Sequence, residues 1–241
     1  MTPPASIDTD VIPDKSGAWN EISNDWASDQ TAFKKVSWGK AMMWIFLVSD
    51  TFIFSMFLIS YMTVRMSTVE PWPLSSEVFA LSFGGQPIPL LLIAIMTFIL
   101  ITSSGTMALA VNYGYRKDRV TTTILLLVTA ILGASFVGMQ AFEWTKLIVD
   151  EGVRPWGNPM GAPQFGAIFF MITGFHGCHV SIGVIFLFIV MRKVWRGDYD
   201  NEVRGFFTSR KGNYEQVETM GLYWHFVDLV WVFIFAFFYL W

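Results

Sequence analysis

Five stretches of the chain are each long and apolar enough to cross a lipid bilayer, and this limits its fold more than any other feature. A helix needs about 20 predominantly apolar residues to traverse a hydrocarbon core of roughly 30 Å. No water is present there to satisfy backbone amides, so runs of this length must be helices with all their hydrogen bonds internal. The spans read as roughly 39–65, 88–113, 120–145, 164–192 and 217–241. Pro87 and Pro89 mark the approach to the second span, and the turn sequence from Asn112 to Tyr115 marks its exit. The expected fold is an all-α integral membrane bundle of five transmembrane helices. Residues 1–37 are polar and acidic with no periodic apolar face, so they read as an N-terminal arm ahead of a membrane domain over 38–241. The arm has no apolar h-region and so is not a cleavable signal peptide, which leaves the first span as the insertion signal.

Composition agrees with a membrane location. Charged residues make up 15% of the chain, against about 25% in soluble domains. A formal net charge of -3 excludes nucleic acid as an expected partner, because phosphate binding needs a clustered basic excess. The single cysteine, Cys178, excludes an internal disulfide and a four-thiolate metal site. The placement of charge sets orientation. Of the 16 Lys and Arg residues, Lys15, Lys34, Lys35, Lys40, Arg116, Lys117, Arg119, Arg192, Lys193, Arg196, Arg204, Arg210 and Lys211 fall on one side of the five-span arrangement. Only Arg65, Lys146 and Arg154 fall on the other. Positive charge is retained in the cytoplasm, so the expected N-terminus is cytoplasmic and the C-terminus lies outside.

Ionisable side chains in hydrocarbon are costly and usually turn inward toward partners, which makes each one a candidate site. They are Asp50 in the first span, Glu143 in the third, His176 and His179 in the fourth, and Glu218, His225 and Asp228 in the fifth. At about 1.5 Å of rise per residue, Asp50, His176, His179, His225 and Asp228 sit near mid-depth, Glu218 at the cytoplasmic boundary and Glu143 near the outer one. His225 and Asp228 are three apart and share a helix face, as do His176 and His179. On spacing alone three readings stay open for these pairs: interhelical hydrogen bonding, a metal or haem site completed by a third imidazole, and a proton relay. For Asp50 the readings are a carboxyl bonded within the bundle and a proton-handling, carbodiimide-reactive group. Gly133, Gly138, Gly166, Gly174, Gly177 and Gly183 permit close helix approach.

The fourth and fifth spans, ITGFHGCHVSIGVIFL and VETMGLYWHFVDLVWVFIFAFFYLW, resemble the last two helices of subunit III of the haem-copper oxidases, in the short five-helix bacterial form of cytochrome c oxidase subunit 3. WGKAMMWIFLVSDTFIFSMF resembles the family helix that carries a buried carboxylate, with Asp50 where the family usually has Glu. SSGTM and QAFEW are similar to further family stretches, and the resemblance covers roughly residues 38–241. It implies a non-catalytic subunit of a proton-pumping aa3-type cytochrome c oxidase in the aerobic respiratory chain, in a bacterial inner membrane. The chain itself would hold no redox cofactor and no catalytic residue, with haem and copper in partner subunits. It would pack directly on subunit I, assemble with subunit II, bind phospholipid, and support proton uptake and active-site longevity. On that resemblance Glu143, His176, His179, Glu218, Trp224, His225 and Asp228 become lipid-pocket or interhelical network residues, and Asp50 the proton-uptake or carbodiimide candidate. The alternatives are subunit III of a quinol oxidase, a nitric oxide reductase accessory protein, an independent haem- or metal-binding membrane enzyme and, from Asp50, a proton-coupled transporter.

Overall fold

A computed structural model describes residues 38–74, 78–83, 86–200 and 214–240. The N-terminal arm, 1–37, lies outside the described residues, as do Arg204, Arg210 and Lys211. The helices are α1 (Trp38–Ser67), α2 (Leu91–Tyr115), α3 (Arg119–Val149), α4 (Gln164–Arg196) and α5 (Glu215–Phe235). All five are long and apolar enough to cross a membrane. The 30 residues of α1 extend for about 45 Å, more than the hydrocarbon thickness, so its ends lie in the headgroup regions.

The second span begins three residues later than the expected 88, at Leu91. Pro87 and Pro89 belong instead to a short hairpin, in which β1 (Ala80–Phe83) pairs antiparallel with β2 (Gln86–Pro89) and Ala80 lies opposite Pro89. Proline lacks an amide donor, and a two-stranded ribbon tolerates it because each strand has an unpaired edge. At the other end of the chain α5 runs into one π-helical turn, Ala236–Leu240.

Helix ends follow local chemistry. Asp118 caps α3: its Oδ1 accepts the Thr121 amide at 3.2 Å and its Oδ2 accepts the Thr121 hydroxyl at 2.6 Å. Those bonds favour the charged form and hold this carboxyl below its ordinary range. Gly197, with φ of 77°, closes α4 in the left-handed conformation. Arg119 at the start of α3 reaches the Trp195 carbonyl near that end, tying the two helix termini together.

α2, α3, α4 and α5 pack successively and close on themselves, because α5 returns against α2. The result is an up-and-down four-helix ring. α1 lies outside it, against α5 and α4. The ring closes around Trp224, whose indole is fully buried and donates from Nε1 to the Ser103 Oγ at 3.0 Å. A methyl group on Gly133 of α3 would come within 2.5 Å of that ring, and one on Gly183 of α4 within 2.9 Å. Both helices therefore need glycine to close on the indole. Gly174 similarly faces Trp144, and Gly166 faces the Arg154 backbone. Among the described residues Gly138 and Gly177 meet nothing within 4 Å, so the close-packing reading does not extend to them within this chain.

Candidate functional site

Leu47, Asp50, Phe54 and Tyr61 are buried along one stripe of α1, which places a carboxyl in the middle of an otherwise apolar contact. Asp50 Oδ2 lies 3.4 Å from Nε2 of His179 on α4, and the carboxylate is almost wholly buried. His179 Nδ1 sits 2.8 Å from the Phe175 carbonyl, where only an N–H can bond. That fixes Nδ1 as a donor and aims Nε2 at the carboxylate. Two bare acceptors would repel at that distance, so the pair holds one proton, on Nε2 or on Asp50. Tyr223 of α5 donates to the His179 backbone carbonyl at 2.9 Å, and the contact therefore joins all three helices.

The other two histidines point elsewhere. His176 is buried, and neither ring nitrogen is bonded among the described residues; Trp231 stacks on it at 5.3 Å, and Phe54 and Phe136 meet it edge-on. His225 Nδ1 lies 2.6 Å from the Ser104 Oγ of α2. Ser104 is also a polar neighbour of Asp228, whose carboxylate oxygens make no hydrogen bond of standard geometry among the described residues. His225 and Asp228, which share a face of α5, thus converge on a serine 121 residues from His225. Among the described residues no three His, Cys, Asp or Glu side chains gather as a metal site would require. His179 and His225 meet polar side chains on different helices, α1 and α2, while His176 is packed among aromatic rings of α1, α3 and α5.

Each end of the bundle has its own polar group. Glu143 of α3 accepts from Gln140 Nε2 at 2.9 Å and from the Tyr239 hydroxyl at 3.3 Å, so the π-helical turn is what brings Tyr239 to it. At the opposite end Glu218 forms an ion pair with Lys40 Nζ at 2.6 Å, joining the first turns of α5 and α1. Sequence reasoning named the acids and histidines but not Tyr223, Tyr239 or Lys40 as their partners. Ser103, Ser104 and Gln140 appear only within the quoted SSGTM and QAFEW stretches.

The sequence matches the family described as cytochrome c oxidase subunit III over residues 19–241. The chain belongs to that family. Subunit III membership and the five spans make it a multi-pass protein of the bacterial plasma membrane and a member of a haem-copper oxidase complex. The match begins at residue 19, so the family pattern reaches further into the arm than the resemblance over 38–241 indicated. A probable quinol oxidase subunit 3 of Staphylococcus aureus (strain USA300) is 30% identical over 197 residues, covering 82% of this chain and 86% of the relative. The probable quinol oxidase subunit 3 of Staphylococcus saprophyticus matches with the same identity and coverage.

Proposed function

We propose that this subunit III serves a quinol-oxidising terminal oxidase as a non-catalytic subunit, packing on subunit I beside subunit II and stabilising the complex that reduces oxygen. The observation that carries the reading is the 82% coverage of this chain by relatives named as quinol oxidase subunit 3. An aa3-type cytochrome c oxidase is the second reading, favoured by the family's own description. In both, haem and copper belong to partner subunits. The dispersal of His176, His179 and His225 onto different neighbours supports that assignment.

In this reading the side chains within the bundle hold helices together and contact bound phospholipid. The proton shared by Asp50 and His179 is the one that proton uptake would draw on. The positive-inside pattern orients the arm and the Lys40–Glu218 end toward the cytoplasm. The test is to purify the tagged chain with its partners and measure oxygen consumption with reduced quinol and with reduced cytochrome c as alternative donors. Turnover with quinol alone supports the proposal, whereas turnover with cytochrome c alone returns the assignment to the second reading. A reduced-minus-oxidised spectrum of the chain stripped of its partners should show no haem, and haem retained there would overturn the non-catalytic role.

A further inference from the structure

The stripe of α5 that turns into the ring carries Asp228 between two buried indoles, four residues after Trp224 and three before Trp231. Asp228 is 7% exposed, and its place near the centre of the Glu215–Leu240 span puts it at mid-depth in the hydrocarbon. Much of the polar chemistry around it is already committed. Trp231 Nε1 donates to the Thr97 hydroxyl at 3.0 Å, and Ser103, which accepts from Trp224, donates to the Leu100 carbonyl at 2.7 Å. Ser104 is the hydroxyl within reach of Asp228, and no charged group among the described residues acts on that carboxyl. The same Ser104 Oγ lies 2.6 Å from Nδ1 of His225, whose ring is half-buried on the stripe of α5 that also carries the exposed Leu229 and Val232. The segments outside the described residues join the helices at their ends, about 15 Å or more along the axis from this cluster.

We propose that Ser104 passes protons between His225 and Asp228, so that the enclosed acid exchanges its proton through the imidazole on the open side of α5. A serine hydroxyl has one proton and stands here between two groups that can each accept it. In the resting arrangement the imidazole carries its proton on Nε2, Ser104 donates to Nδ1, and Asp228 holds its own proton, which it donates to Ser104 Oγ; no charge is left in the hydrocarbon. Exchange begins when Nε2 gives its proton to water. Nδ1 then takes the Ser104 proton, and Ser104 takes the one from Asp228, so one N–H and two O–H bonds break while one N–H bond and one O–H bond form within the cluster and another O–H forms on the water. No oxidant or reductant takes part. The carboxylate this leaves at mid-depth is costly, and the reverse sequence, started by a proton arriving at Nε2, restores it. The inference does not depend on which electron donor the oxidase uses.

The experiment uses the intact oxidase complex and reads the acid itself rather than turnover. An infrared difference spectrum between the wild-type complex and Asp228→Asn isolates the carbonyl stretch of the protonated Asp228. Transfer to deuterated water then shifts that band as O–H becomes O–D, and the time course of the shift is the exchange rate. Ser104→Ala should slow the exchange about tenfold, the order expected when one hydrogen bond is lost from the path. Ser104→Thr keeps a hydroxyl and should exchange at close to the wild-type rate, whereas His225→Phe should slow it as Ser104→Ala does. A loosened bundle would speed exchange by admitting water, so a slower rate is not the signature of a merely structural defect. Absence of a protonated-acid band at Asp228 overturns the proposal. So does a wild-type band that never shifts, or exchange in Ser104→Ala as fast as in the wild type. Should Ser104→Ala prevent assembly, His225→Phe decides in its place, and an unchanged rate there overturns the proposal.

Discussion

α1 and the four-helix ring solve the same problem in different ways. In lipid the hydrophobic effect does not hold helices together, because the surrounding tails are as apolar as the side chains; association has to come from close packing and interhelical hydrogen bonds. The ring relies mainly on packing. Ten of the 21 residues of α5 are buried, and its Trp224 indole fits against glycine backbones on two neighbours. α1 buries only four of its described residues and relies on polar contacts, Asp50 with His179 at mid-depth and Lys40 with Glu218 at one end. A helix held by a few directional bonds can be removed with less disturbance than one wedged into a ring, and substitutions can test that difference.

The largest effect should come from filling the ring. Gly133→Leu or Gly183→Leu places a branched side chain where a single methyl group already lies under 3 Å from Trp224, so no assembled subunit should be recovered from membranes. The same change at Gly138 or Gly177, where nothing lies within 4 Å, should leave the fold of the subunit intact. Equal yields from both sets would remove the packing distinction. Trp224→Ala tests the opposite defect, and the cavity should cost about 3–5 kcal/mol in a detergent unfolding titration.

Next in size is the polar contact of α1. His179→Leu leaves a buried carboxyl facing an apolar group and should destabilise by about 3 kcal/mol, with loss of α1 docking before the ring unfolds. Asp50→Asn keeps the shape and a hydrogen-bonding group, so it should cost about 1 kcal/mol and leave an assembled complex able to reduce oxygen. Complete loss of turnover in that complex would make Asp50 more than a structural contact and a proton donor in reserve. A smaller effect is expected from Glu143→Gln, which weakens its bond with Tyr239; faster amide exchange in the π-helical turn, with the remainder of α5 unchanged, is the expected reading.

The smallest effect belongs to the Asp118 cap. Its carboxyl titrates lower in the folded state than in the unfolded one, so its contribution is fully present above the unfolded value and is lost as pH falls through the folded value. The protection factor of the Thr121 amide, its exchange rate corrected for the intrinsic rate at each pH, should fall over that acidic window, and Asp118→Ala should abolish that fall. If the window survives in the variant, the cap is not its source.

How much of this was legible in the sequence depended on the range of the interaction. Spans are local: length and apolar content placed all five within a few residues. Helix ends were less legible, and α2 starts late because Pro87 and Pro89 serve a hairpin whose pairing could not be read from one strand. The buried acids and histidines stood out because hydrocarbon makes them conspicuous. Their partners did not, since Asp50 and His179 lie 129 positions apart and their meeting depends on which face α1 presents to α4. Spacing placed His225 and Asp228 on a shared face but said nothing of the serine on the helix opposite that His225 meets.

The indole between Gly133 and Gly183 also constrains how this chain can change over generations. Positions 133, 183 and 224 lie on three helices and form a single lock, so a side chain gained at either glycine is survivable only if residue 224 shrinks in the same step. Drift at any one of the three is blocked while the other two stand, and the core of the ring should vary among descendants as a matched set or not at all.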